Sequence, residues 1–487
     1  MKNTSLLAFI RNPKVLLVLV LSVFFLKGVF LATVEPIFDG QDEARHYNSI
    51  QYSAHQSNID SSMEKRRTDN KKLSFLDYNF SEEILNAGTL AGIDALRSDS
   101  FNTTDYSSSY NGKNETQLNS QDWKPINYFD PPDIVYGSFY HSLTAKIEKS
   151  FASQNILVRF FLIRIFSVLL GTLAVLLTYL IAKTIGFSTK HALILATILS
   201  FQPKFSMYFT NINYDVLLIP MFFLFTWAGT LALKKGLDWK NVSLFAFSIV
   251  VAVLTKPTGF ILFVPLAFLL AWLAFEKIKI RDQKTQRLAV AFGLIAFAVL
   301  AFLLKTHLPN NSHASFAQTL SSVDRYLVKS LTIGRFGLSS RTYWGTLDWT
   351  NTWLLSNITN FIWIIQFFAF LGLGFFFFSK DKPSEFLPAK KFVVFLIGLI
   401  VALQLGIRAA DWSIFSNTGS LDLGTPGRYF LPNLASHLIL VFTGLGALLS
   451  HFKKERFFNH VLLAGLLGMF AFVMYLIFDV IIYRFYL

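Results

Sequence analysis

Apolar residues in this chain do not alternate or recur on one helical face; they run continuously for about 20 residues at a time, long enough to cross the ~30 Å of a bilayer's hydrocarbon. The runs predict spans at about 15–34, 156–182, 190–209, 215–233, 241–255, 258–275, 288–304, 353–378, 392–409, 428–450 and 461–482. The pattern predicts an all-α polytopic membrane protein of about 11 transmembrane helices. Five sections follow: an N-terminal helix (1–34), a first exterior loop (35–155), helices 2–7 (156–304), a second large exterior loop (305–352) and helices 8–11 (353–487). The first run follows Lys2, Arg11 and Lys14, as a signal peptide would. Its apolar stretch is too long for a typical h-region and no small-x-small site precedes Glu35, so it reads as a retained helix.

Composition agrees. Of 487 residues, 53% are hydrophobic and 15% charged, against about 25% charged in soluble domains. The net charge of +14 raises the possibility of nucleic acid, but its distribution argues against it. Segment 35–155 carries 18 acidic and 11 basic residues, so the surplus lies elsewhere, largely in short loops between apolar runs. A nucleic-acid surface would instead be one contiguous basic face. With the N-terminus inside, the six interior segments hold about 20 Lys and Arg, including Lys277, Lys279, Arg281, Lys284 and Arg287. The positive-inside rule therefore predicts a cytoplasmic N-terminus, with both large loops and the C-terminus exterior. The absence of cysteine excludes disulfides, thiolate nucleophiles and Cys-ligated metals.

Candidate chemistry gathers at the exterior ends. Glu35-Pro-Ile-Phe-Asp-Gly-Gln-Asp-Glu-Ala-Arg-His-Tyr47 follows the first span directly. A carboxylate held against the membrane surface is partly desolvated and becomes a better base. Adjacent Asp42 and Glu43 point apart, so one can face a substrate while the other bonds the scaffold; an ordinary solvated loop start is the competing reading. In Tyr128-Phe-Asp-Pro-Pro-Asp-Ile-Val-Tyr136 two prolines fix a rigid turn. Its carboxylates and aromatics suit a sugar, and Asp133 equally suits a helix cap. Arg159, Arg164, Asp215, Lys256 and Arg428 stand at span ends, where several cations on one face would hold a lipid phosphate. Snorkelling to the interface is the alternative for each, and the main reading for Lys27 and Lys204. Trp344 and its aromatic neighbours either bind carbohydrate or anchor the loop. No Walker loop, HExxH or GxSxG motif occurs.

Taken together, these pieces resemble the GT-C superfamily of membrane glycosyltransferases, and within it a bacterial family related to the protein-mannosyl and aminoarabinose transferases. Asp42-Glu43-Ala44-Arg45-His46-Tyr47 resembles the Asp-Glu motif of that family's first exterior loop. Asp130-Pro-Pro-Asp-Ile-Val-Tyr136 is similar to its His-Pro-Pro-Leu-Tyr-Tyr element, with Asp130 in place of the histidine. Arg164-Ile-Phe-Ser-Val-Leu-Leu-Gly171, Asn211-Ile-Asn-Tyr-Asp215, Thr255-Lys-Pro-Thr-Gly259, Tyr343-Trp-Gly-Thr-Leu-Asp-Trp349 and Gly427-Arg-Tyr-Phe-Leu-Pro432 complete the series in the family's order.

The resemblance implies transfer of a sugar from a polyprenyl-phosphate donor to a glycan, lipid or protein acceptor on the exterior face, with membrane lipid as surroundings and no nucleic acid. It implies Asp42 as general base, with Glu43 fixing the loop or touching sugar. Lys256 and Arg428, with Arg164, would hold the donor phosphate. His46, Asp130, Tyr136, Asp215 and Trp344 would line the sugar and acceptor. Some GT-C enzymes use a divalent metal, Mg or Mn, for which Asp42 is a candidate ligand; no other cofactor is implied. Two other readings are a ligase or polymerase moving whole glycans from lipid diphosphate, and a transporter or flippase. The second should show repeat symmetry and mid-membrane charges, whereas the charges here gather at the outer surface beside a large loop.

Overall fold

The computed structural model describes residues 12–55, 79–91, 123–125, 137–275, 316–330, 332–345, 356–379, 387–419 and 426–486. The expected seventh span (288–304), Asp130 and Tyr136 lie outside the described residues. Within them the chain is helical apart from one short antiparallel pairing, β1 (Asn79–Ser81) with β2 (Trp123–Pro125). Among the described residues seven helices are long and apolar enough to cross a membrane, and three shorter apolar ones accompany them. The all-α, polytopic expectation holds.

Helix α1 (Pro13–Val34) starts where Asn12 accepts a hydrogen bond from the Lys14 amide at 3.0 Å and Pro13 takes the first turn, where its missing N–H costs nothing. α2 (Glu43–His55) and α4 (Phe139–Ser150) come from the long segment between the first two spans. With α3 (Glu82–Leu90) they are tied to α5 (Ile156–Ile185) by a buried ionic knot. Arg159 of α5 bonds Glu83 and Glu148, Gln51 donates to both of these carboxylates, and the Tyr47 hydroxyl donates to Glu148 at 2.8 Å. Four helices, three of them from well-separated stretches of the first loop, are thus pinned together, since a buried charge keeps its place only when fully partnered.

The expected span 190–209 is not one helix. α6 (Thr189–Ser200) stops after 12 residues, about 18 Å of rise, and the six-residue α7 (Pro203–Tyr208) follows. Pro203 forces the residue before it out of helical geometry, and Gln202 accordingly sits extended at ψ 121°. Its side-chain amide donates to the Tyr343 carbonyl at 2.8 Å. The break also explains Lys27. Its ammonium does not snorkel but donates to the last α6 carbonyl, Ser200, and to the Ser206 hydroxyl at 2.7 Å, with Phe24 and Phe201 rings beside it. A cation on a helix C-terminus faces the negative end of the dipole. Lys204 likewise is buried, 3% exposed, rather than reaching for an interface.

α8 (Asp215–Lys235) is buried on nearly all sides and forms the centre of the bundle, against α5, α9 (Trp239–Thr255) and α14 (Lys390–Thr418). α13 (Ser356–Phe378) and α15 (Leu434–His451) meet backbone to backbone, because Gly372 and Gly444 leave no side chain between them. At one end of the bundle the Lys391 ammonium donates to the Leu233 carbonyl at 2.7 Å. At the opposite end the Tyr486 hydroxyl donates to the carbonyl of Val34 at 2.7 Å, so the last helix finishes beside the end of the first.

Candidate active site

Four chain breaks at the end of the bundle away from the lysine-rich turns bring the charged residues together. Each break has a local cause. α9 stops at Thr255 because Pro257 cannot continue it, leaving Lys256 extended (φ −157°, ψ 143°). The following 3₁₀ turn lies so close that a Cβ on Gly259 would stand 2.4 Å from the Ala252 carbonyl carbon. Arg428 sits in a 3₁₀ turn (Gly427–Asn433) opened by Pro426. Gly427 there is pressed on α12 (Ile333–Trp344), its amide donating to the Thr342 hydroxyl at 2.7 Å. Asp215 opens α8, its own amide held by the Asn213 side chain at 2.8 Å. Asp42 ends the loop after α1 with φ +60°, a left-handed backbone uncommon outside glycine, asparagine and aspartate.

The loop carrying Asp42 is held from below by Glu43. That carboxylate accepts from Arg164 Nε and Nη2 at 2.9 and 2.7 Å, from the Ile212 amide at 2.9 Å and from the Gly40 amide at 3.3 Å. Arg164 spends its remaining N–H groups on the carbonyls of Ala32, Glu35 and Pro36 at 2.7–3.0 Å. All five guanidinium donors are committed, leaving none for a phosphate. Glu35 is also enclosed: the Thr210 hydroxyl donates to it at 2.9 Å. The Asn211 amide, in the orientation that satisfies both its ends, donates to both carboxylate oxygens at 2.7 and 3.2 Å. Burial pushes the Glu35 carboxyl up to about 8, against the attraction of Arg164.

Above this base lies a paired-charge cluster. Arg428 Nη2 is 3.5 Å from Asp42 Oδ2. The Lys256 ammonium donates to both Asp215 oxygens at 2.9 and 3.0 Å, and the Tyr208 hydroxyl donates to Asp215 Oδ2 at 2.9 Å. Lys256 also lies between two ring faces, 4.5 Å from the centroid of Tyr214 and 4.8 Å from that of Tyr429, while the Arg428 guanidinium stands 5.1 Å from Tyr429. His46 packs perpendicular to Tyr214, with ring centroids 4.6 Å apart. Burial, reinforced by His141 and by the cations Lys256, Arg428 and Arg45, pushes His46 well below its usual range, so the ring is neutral at physiological pH.

Of the residues singled out in the sequence, Asp42, His46, Asp215, Lys256 and Arg428 are brought together. Glu43 and Arg164 pair underneath, as scaffold. Trp344 is elsewhere: 4% exposed, it packs on Tyr343 and His437 beside the turn that carries Arg428. Tyr208, Tyr214 and Tyr429 stand in this cluster, with His141 behind His46 and outside it, and none of the four was singled out. Tyr214 and Tyr429 each adjoin a charged motif residue, a signal that was present; His141 had none. Among the described residues no three His, Asp or Glu side chains converge as a metal needs, and Asp42 faces a guanidinium. With Asp42 held against Arg428, the described side chains by themselves supply no coordination shell for a divalent ion there.

Residues 155–302 match the family model of dolichyl-phosphate-mannose-protein mannosyltransferases. That match supports the resemblance read from the sequence, a membrane glycosyltransferase of the GT-C type. It includes Arg164, Asp215 and Lys256 and leaves Asp42 and Arg428 outside. No curated protein matches the chain significantly.

Proposed function

We propose that this glycosyltransferase moves a sugar from a polyprenyl-phosphate donor to an acceptor hydroxyl at the exterior face of the membrane, with Asp42 as the base and Lys256 and Arg428 on the donor phosphate. The observation that carries this is the meeting of one partly exposed carboxylate, Asp42 (22% exposed), with Arg428 and the aromatic-flanked Lys256 in one cluster at the ends of the spans. An exterior position is supported by the basic turns at the bundle's other end, where Lys234, Lys235, Lys390 and Lys391 cluster.

In this reading the acceptor hydroxyl approaches Asp42, which takes its proton as the oxygen attacks the anomeric carbon. The bond from that carbon to the phosphate oxygen breaks, and the electron pair leaves with the phosphate. The donor phosphodiester carries one negative charge and the released polyprenyl phosphate carries up to two. Lys256 and Arg428 stabilise the charge that grows, which is the term that lowers a barrier. Both cations are balanced by carboxylates without substrate, so they are held in place before the phosphate arrives. Arg164 and Glu43 act beneath as positioning residues, fixing the turn that presents Asp42. Tyr214, Tyr429 and His46 line the neighbouring surface where a sugar ring would stack and bond. Asp130 and Tyr136 are proposed to line the acceptor side.

The test is release of free polyprenyl phosphate from a panel of polyprenyl-phosphate sugars, by purified wild type and Asp42→Asn, each with and without chelator. Release by wild type, lost in Asp42→Asn while donor binding persists, is the expected result. Equal release from both would remove Asp42 from the chemistry. A wild type that binds no donor would sink the transferase reading.

A further inference from the structure

His141 is fully buried at the start of α4, almost a hundred residues from His46, yet the two rings stack with Nδ1 of His46 3.0 Å from Nε2 of His141. Which nitrogen carries the proton follows from the far end of the pair. The backbone amide of Ser138 points at His141 Nδ1 from 2.9 Å. An amide N–H can only donate, so Nδ1 of His141 accepts, and its proton is on Nε2. That Nε2–H in turn donates to Nδ1 of His46, which leaves the His46 proton on its own Nε2, the nitrogen not engaged by His141. The Ser138 hydroxyl, 3.0 Å from His141 Nδ1, is compatible with the same arrangement. The α4 capping box thus sets the tautomers of two stacked imidazoles through a one-way chain of hydrogen bonds.

We infer that His141 is a positioning residue that locks His46 as a neutral Nε2–H donor beside Asp42, and that His46 supplies a hydrogen bond to a substrate oxygen and not a base. His46 lies one helical turn after Asp42, its amide donating to the Asp42 carbonyl at 2.9 Å, so the first turn of α2 closes onto Asp42. It also packs on Tyr214, whose ring faces Lys256. Lys256, Arg428 and Arg45 all disfavour a further cation there. A neutral donor adds a directional bond for a sugar or leaving oxygen without adding charge. Two imidazoles in line are required because a protonated ring on either side would set N–H against N–H and break the chain.

The experiment separates a relay from a spacer. Full-length protein labelled with ¹⁵N-histidine in lipid nanodiscs reports the proton position on each ring, the two assigned by His46→Gln and His141→Gln. In wild type at pH 7 both rings should be neutral and protonated on Nε2. His141→Gln offers an amide N–H in place of the imidazole donor and should keep the His46 proton on Nε2. His141→Glu, similar in size but only an acceptor when ionised, should place a proton on His46 Nδ1. A proton on Nδ1 of either ring in wild type would overturn the inference even if neither variant folded. So would an identical His46 proton position in the Gln and Glu variants.

The kinetic arm rests on the transferase reading above. There His141→Gln should keep kcat/KM within about threefold of wild type while His141→Glu loses about tenfold, the scale of one neutral hydrogen bond. Equal kcat/KM in the two variants, with the proton shift present, would remove His46 from turnover. An inactive wild type with the expected spectra would instead count against the transferase reading and leave the relay standing.

Discussion

Asp42 owes its place to a backbone that few residues tolerate. At φ +60° an alanine or leucine is strained, whereas asparagine enters this region nearly as readily as aspartate. Asp42→Asn therefore removes the carboxylate and keeps the turn. It should lower kcat by at least about 10² with only a small fall in melting temperature from the lost Arg428 pairing, whereas Asp42→Ala should lower the melting temperature further; circular dichroism melts beside polyprenyl-phosphate release read the two effects apart. Glu35, seven residues earlier, makes a different prediction. Its carboxyl is pushed by burial from 4.5 up to about 8. The folded protein then holds a proton that the unfolded chain has lost, so stability should fall as pH rises from about 4.5 to 8 and level off above. Glu35→Gln, which mimics the protonated form, should flatten that slope in thermal melts across pH 5–8.5. Both residues were visible in sequence as one acidic stretch. What was not legible is that Asp42, Glu43 and Glu35 have three separate surroundings, because each is set by a partner more than a hundred residues away.

At the scale of elements, the sequence showed where helices end and not what their ends hold. The prolines at 203, 257 and 426 and the glycines at 259 and 427 mark breaks that the structure uses to aim Lys256 and Arg428. The span expected at 190–209 failed because apolar content alone does not register the Gln202–Pro203 break. Lys27 was read as snorkelling because its partner, the exposed carbonyl end of α6, exists only once that helix stops. Arg164 is the sharpest case. As a cation at a span end it suggested phosphate, yet its fork is filled by Glu43 and three carbonyls. Arg164→Met should then act as the loss of one partner of a buried pair, costing on the order of 3–5 kcal/mol of stability. Arg164→Lys should recover only part of it, since one ammonium cannot reproduce five directed donors. Thermal melts in detergent check this. A phosphate ligand would instead show an unchanged melt and a raised KM for donor.

Across the whole molecule the two ends of the bundle differ in kind. One gathers Asp42, Asp215, Lys256 and Arg428 into balanced pairs, with Tyr486 and Val34 beside each other at that same end. The other carries Lys234, Lys235, Lys390, Lys391, Lys453 and Lys454 with few acids. Basic turns are retained on the cytoplasmic side during insertion, so the site end should be exterior. The chain contains no cysteine, which makes it a ready background for single-cysteine mapping. Ser150, Lys240, Lys454 and Tyr486 are all exposed, so a thiol at any of them can react. In intact cells, a membrane-impermeant maleimide should label Ser150→Cys and Tyr486→Cys, while Lys240→Cys and Lys454→Cys should react only after permeabilisation. The reverse pattern would put the Asp42 cluster in the cytoplasm, where the acceptor and the accessible face of the lipid donor would both have to be reconsidered. Labelling of Ser150→Cys but not Tyr486→Cys would contradict the contact between Tyr486 and Val34, and with it an odd number of spans.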